Sequence, residues 1–179
     1  AKAREDGCDW IALCVWWFQD DVRSTSIEPD YTRYSATPES VVHAINQCRE
    51  QGMKVMLKPM VDCRDGEWRG NIDPSDEWFS AYQEFVASWA QIAEEHEVEL
   101  FCIGCELTKT VSWSSSWRNI IQNTRAAYRG ALTYAANHGN ERNVGWWNDL
   151  DYIGIDAYYP LTNKNDPTLD ELNRAWEDR

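Results

Sequence analysis

Residues 97–106 read EVELFCIGCE, a short apolar run that begins acidic and stops at a carboxylate. Counted with period 2, Glu106, Gly104, Cys102 and Leu100 fall on one face of a strand, and Cys105, Ile103 and Phe101 on the other. One face is mostly small and the other bulkier. A parallel strand that lines a crowded barrel, with helices packed outside, has this profile. Glu106 then ends the strand where barrel enzymes keep their chemistry; a solvated strand end is the alternative.

Strand and helix signals alternate on both sides of this segment. Apolar, β-rich runs cover 9–18 (DWIALCVWWF), 53–61 (MKVMLKPMV), 131–137 (ALTYAAN) and 150–158 (LDYIGIDAY). Thr37 and Pro38 open a helix whose apolar stripe is Val41, Val42, Ile45 and Cys48 and which Gly52 ends. Helical spacing recurs over 77–95, over 117–128 and from Thr168 onward. The stretch 138–149 has room for a crossover but not for a long helix. The pattern is α/β with five parallel strands. It fits either a doubly wound sheet or five consecutive units of a (β/α)8 TIM barrel. A whole barrel takes about 250 residues, so 179 residues make a partial one. Loop lengths favour the barrel. Loops after the strands are long and rich in Trp, Asp, Arg and Ser, whereas the turns before them are short, so function gathers on one face. Residues 1–179 form a single domain in this scheme. Its first and last residues fall inside helical patterns, as expected of an incomplete catalytic barrel cut at both ends.

The net charge of −13 repels phosphate backbones and anionic membranes, so nucleic acid and membrane surfaces are unsuitable partners. No apolar run approaches the ~18–20 residues of a membrane span. Eleven Trp and eight Tyr suggest carbohydrate, whose C–H faces stack on aromatic rings, although most of these Trp are expected simply to fill the core. Six cysteines sit mostly in apolar segments, as buried thiols do. Cys102 and Cys105 have C-x-x-C spacing, but on a regular strand they face opposite ways. No metal site, disulfide framework or cofactor is expected.

Period 2 also selects a rim. Lys54, Met56, Lys58 and Met60 share a face with Asp62 beyond them, and an inward lysine needs a carboxylate partner, for which Asp62 is nearest in sequence. A lysine snorkelling at a strand edge is the alternative. Asn137 ends its strand either as a mouth residue or as a plain turn residue. Tyr152, Gly154, Asp156 and Tyr158 share a face against Ile153 and Ile155. Lys58, Asp62, Glu106, Asn137, Asp156 and Tyr158 would then meet at one rim, with Trp68, Arg69, Trp113, Trp146 and Trp147 in nearby loops. Carboxylates, an amide and aromatics suit a neutral, hydroxyl-rich ligand. Glycosidic hydrolysis needs an acid to protonate the leaving oxygen and a second carboxylate. Glu106 is the acid/base candidate, and Asp156 a conceivable partner.

Taken together and in order, LKPMVDCRDGEWRG (57–70), IGCELTKT (103–110), ALTYAAN (131–137) and WWNDLDYIGIDAYYPL (146–161) resemble glycoside hydrolase family 113, a β-mannanase family of retaining (β/α)8 barrels. The resemblance covers nearly the whole chain. It implies that Glu106 is the acid/base at the end of the fourth barrel strand and that the five strands are the second to sixth. The nucleophile, a glutamate ending the seventh strand, would then lie beyond Arg179, and Asp156 would line the site. It further implies substrate contacts from Lys58, Asp62, Asn137, Asp156 and Tyr158, with Trp16 and Trp17 near the same rim, and a β-linked oligo- or polysaccharide as partner. Two positions depart from the family pattern: Thr commonly stands where Cys105 does, and an aromatic where His138 does. A carbohydrate-binding barrel without catalysis is the rival expectation.

Overall fold

The five apolar runs form five strands: β1 (Trp10–Gln19), β2 (Lys54–Cys63), β3 (Leu100–Cys105), β4 (Ala131–Asn137) and β5 (Tyr152–Asp156). The computed structural model describes residues 2–178. Ala1, expected at the head of the first helix, and Arg179 lie outside the described residues. The strands pair in parallel in the unbroken order β1-β2-β3-β4-β5. A doubly wound sheet reverses direction at a switch point. Sequential order is the wall of a (β/α)8 barrel, so the doubly wound alternative falls away.

Local chemistry sets the helices between the strands. A short helix, α1 (Lys2–Glu5), precedes β1. In α2 (Pro38–Glu50), Thr37 caps the first turn by accepting from the Ser40 N–H, and Pro38 stands where its missing N–H costs nothing. Ser75 likewise caps α3 (Asp76–Glu95). In α4 (Ser114–Ala127) the helix begins three residues before the expected start, because the Ser114–Ser116 turn carries no apolar stripe to mark it. Only 3-10 turns, Glu141–Asn143 and Trp147–Asp149, lie between β4 and β5. After β5, α5 (Leu169–Glu177) opens with a reciprocal Thr168–Glu171 capping box. No helix of the described residues is long and apolar enough to cross a membrane.

The two faces of the sheet are unequal. Between sheet and helices lies the main core, with Trp78, Trp89, Trp117 and Trp146 fully buried. Trp117 stacks on Trp146 at 4.8 Å, and Trp78 on Tyr82 at 4.7 Å. Three of these indoles also find acceptors: Gln19 Oε1 for Trp78, the Thr110 carbonyl for Trp117 and the Val111 carbonyl for Trp146. The concave face buries a much smaller group, Met60, Cys102, Cys105 and Ala135.

One irregularity overturns the parity count on β3. Cys102 pairs with Thr133 and Cys105 with Ala135, so β3 advances three residues while β4 advances two. This is a β-bulge, which shifts every later side chain by one place. Cys102 and Cys105 therefore share the concave face, contrary to the opposite facing expected of them. Gly104 turns outward instead, where an added Cβ would lie 2.9 Å from both Trp117 Cη2 and Tyr82 Oη. The Cys102 thiol donates to the Gly104 carbonyl (3.2 Å) and the Tyr82 hydroxyl to the Ile103 carbonyl (2.9 Å), fixing the bulge from both sides. Gly104→Ala should cost about 1–3 kcal/mol through overpacking, read as a lower urea midpoint with an unchanged slope.

Candidate active site

Lys58 from the middle of β2, Glu106 just past β3 and Asp156 at the end of β5 bring three charged side chains to the concave mouth. Lys58 Nζ donates to both oxygens of Asp156, at 2.9 and 3.0 Å. Side chains stand roughly perpendicular to a sheet, and β2 and β5 are three strand spacings apart, about 14 Å if the sheet were flat. The pair forms because the wall curls. Asp62, the partner expected for Lys58, lies four residues along the same strand, about 13 Å away. It is held instead by Arg69 from the following loop, in a two-pronged contact at 2.8 and 3.0 Å.

Cys105 joins the two pairs. Its thiol donates to Asp156 Oδ2 (3.1 Å), and Arg69 Nη1 donates to its sulfur (3.5 Å). The chain Lys58–Asp156–Cys105–Arg69–Asp62 thus runs unbroken along the base of the mouth. Burial pushes the Cys105 thiol well up and that of Cys102 to about 11, so both are protonated at neutral pH. Burial pulls the Lys58 ammonium down, but the hydrogen-bonded Asp156 carboxylate, joined by the cysteine sulfurs in the alkaline range where they ionise, holds its pKa above the ordinary lysine value.

Glu106 follows directly. Its φ of 53° is left-handed, a conformation rare for residues other than glycine. Its N–H is anchored on the Ala135 carbonyl (2.8 Å). The left-handed turn, rather than strand alternation, brings its carboxylate to the mouth. A Glu106 oxygen, an Asp156 oxygen and Cys105 Sγ lie within 4.8 Å of one another. Among the described residues this is the group with metal-ligand composition. Within it Cys105 donates to Asp156, which also accepts from Lys58, so these side chains are linked by hydrogen bonds.

The structure brings together Lys58, Asp62, Arg69, Glu106 and Asp156. Asn137 pairs in register with Asp156 at the end of β4. Tyr158 lies two residues beyond and is 80% exposed. Trp16 packs against the concave cluster. Trp17 does not reach the rim: adjacent strand residues face opposite ways, and its ring lies 5.2 Å from that of Phe85, on the helix side. Trp68 folds over Gly70 and is partly exposed, whereas Trp146 belongs to the core. A cavity of about 500 Å³ adjoins the network on the β1 side, lined in part by Trp16, Tyr34, Asp62, Arg64 and Arg69. Sequence patterns gave no sign of Tyr34 or Arg64, which lie outside the quoted strands.

The model of Glycoside Hydrolase Family 113 matches residues 1–179. The solved structure of a GH113 β-1,4-mannanase shares 29% identity, covers 99% of this chain and 60% of its own, and superposes with a TM-score of 0.85. The GH113 β-mannanase of Alicyclobacillus acidocaldarius, solved in complex with ManMIm, gives 32% identity, 94% and 57% coverage, and a TM-score of 0.81. A fungal β-1,4-galactanase, at 15% identity and a TM-score of 0.57, shares the fold. The chain spans about 60% of the length of the mannanases it matches. No curated protein matches it.

Two outcomes follow from the network. Lys58→Met strands the Asp156 charge in a site where the pair is only 11% and 20% exposed, and should cost about 1–3 kcal/mol in chemical denaturation. A raised lysine pKa contributes stability that is complete below the unfolded value of ~10.4 and is lost only as pH climbs through the folded value. The cost should therefore be equal at pH 7 and pH 9. In mass-spectrometric mapping after iodoacetamide treatment at pH 8, the exposed Cys8 should be alkylated, and the buried, protonated Cys102 and Cys105 spared.

Proposed function

The chain belongs to glycoside hydrolase family 113, and from that premise we propose that it is the acid/base-bearing part of a retaining enzyme that cleaves β-1,4-linked mannan-type polysaccharide. The placement of Glu106 carries this reading. It ends a central strand at the mouth, in a conformation that few side chains adopt, beside a network that already neutralises its neighbours. Such strain at a functional position is a recognised signature of sites that use it.

In this mechanism Glu106 protonates the leaving glycosidic oxygen, then removes a proton from the incoming water. A second carboxylate attacks the anomeric carbon from a distance of about 5–5.5 Å between the two groups. Asp156 is poorly suited to that part, since both its oxygens are engaged by Lys58 and one also by Cys105. A free, forward-facing carboxylate from a segment outside 1–179 suits it better. Asp156 then lines the sugar site. Lys58, Asp62, Arg69, Asn137 and Tyr158 would contact hydroxyls, and Trp16 an apolar sugar face.

In the full-length enzyme, Glu106→Ala should lower mannan turnover about 10²–10⁴-fold. Aryl mannosides with good leaving groups, which need no protonation, should still undergo the first step and show a burst of phenol. Equal mannan hydrolysis by variant and parent would remove Glu106 from the role. The chain 1–179 by itself should release no reducing sugar from mannan. Sustained release would mean that Asp156 or another carboxylate within it acts as the nucleophile.

A further inference from the structure

The floor of the mouth is rich in sulfur. Cys14, Met56, Met60, Cys102 and Cys105 pack into one concave cluster with Trp16 and Ala135. Three of the six cysteines and two of the three methionines of the chain gather there. Acid/base chemistry needs none of these sulfurs. Two carboxylates stand over one of the thiols. A Glu106 oxygen, an Asp156 oxygen and Cys105 Sγ lie within 4.8 Å of one another, and the thiol already points at Asp156 Oδ2, 3.1 Å away. The expectation of no metal site rested on a regular strand, which aims Cys105 away from Glu106. The β3 bulge turns Cys105 to the mouth instead.

The spacing suits a tetrahedral ion. With a sulfur at about 2.3 Å and oxygens at about 2.0–2.2 Å, the edges of such a site are about 3.4–3.6 Å, so small side-chain adjustments close the triangle. The charges suit it too. Among the described residues Asp156 is paired with Lys58 and Asp62 with Arg69, and no ion pair holds Glu106. Thiolate, Glu106 and Asp156 together would carry three negative charges, which the Lys58 ammonium and one divalent cation balance. Asp156 can serve both cations, since Lys58 reaches each of its oxygens and the thiol only Oδ2. Its side chain is 20% exposed, so an ion can enter from the mouth. Sulfur decides the class of ion. Carboxylates alone suit magnesium or calcium, whereas a thiolate beside them selects a borderline or soft ion of the zinc kind.

We propose that Cys105, Glu106 and Asp156 form a binding site for a zinc-class divalent cation, which locks the carboxylate that would otherwise donate a proton. In the binding step the hydrated ion gives up water ligands and the Cys105 S–H bond breaks. Its electron pair forms the sulfur–metal bond, and its proton leaves to solvent. No oxidant or reductant takes part. The site stands on geometry; only its effect on turnover rests on the glycosidase reading above.

The test is calorimetric titration of the metal-free chain with Zn²⁺ and Mg²⁺, alongside the near-ultraviolet sulfur-to-metal charge-transfer band of added Co²⁺. Zn²⁺ should bind at one tight site, and Mg²⁺ about 100-fold more weakly or worse. Co²⁺ should give the band. Cys105→Thr should weaken Zn²⁺ about 100-fold and abolish the band, while Cys8→Ser, which removes an exposed thiol, changes neither. Glu106→Gln should weaken Zn²⁺ about tenfold and keep the band, a combination that loss of folding would not give. Unaltered Zn²⁺ affinity in Cys105→Thr, or Co²⁺ bound without the band, would overturn the site and leave the role of Glu106 standing. In the full-length enzyme Zn²⁺ should suppress mannan hydrolysis, EDTA should restore it, and Cys105→Thr should lower the sensitivity to Zn²⁺ about 100-fold. Zn²⁺ held at Cys105 with turnover unimpaired would keep the site and remove Glu106 from the acid/base role.

Discussion

The ion pair between Lys58 and Asp156 constrains everything else at the mouth. It joins strands separated by two others, and it closes only if the sheet bends into an arc. Bending has a packing cause. The convex side buries many large rings, and the concave side fully buries just Met60, Cys102, Cys105 and Ala135 among its apolar residues. Large residues outside and small ones inside wedge the sheet in one direction. The charged pair then sits where curvature makes the strand ends converge, and its tether keeps the edge strand β5 aligned with the interior. Gly154 serves the same end. A Cβ there would lie 2.4 Å from the Tyr134 carbonyl oxygen, so only glycine lets β5 approach β4 this closely.

Much of this architecture was legible in the sequence, because it depends on local rules. Apolar, β-rich runs marked each strand, and Thr37 and Thr168 marked helix starts by capping chemistry that needs no tertiary context. The inward lysine was legible too, but its partner was not. Asp156 lies 98 residues away, and only the curl of the wall brings it near. The bulge on β3 escaped for a different reason. It is set by Tyr82, Trp117 and Tyr134 pressing on Gly104 from other elements. Counting by twos therefore gave the right location for Glu106 by the wrong route. The same count, applied strictly to β1, separates Trp16 from Trp17, and similarity to a family was a poorer guide there than pleat geometry.

Most of the tryptophans were expected to fill the core, and the four most buried of them hold helices to the sheet, three with satisfied indole nitrogens. The exposed Tyr34, edge-on to Trp16, lies by contrast in a polar loop with no hydrophobic pattern to mark it.

Glu106 is a residue that backbone geometry alone would not choose. A left-handed φ disfavours any side chain with a Cβ, by about 1–2 kcal/mol, and glycine or asparagine would rest there more comfortably. Mutational drift in a copy released from selection would therefore run downhill at this position, toward a sturdier and chemically silent protein. A glutamate held against that gradient is what the proposed acid/base role requires, since folding alone gains nothing from the carboxylate.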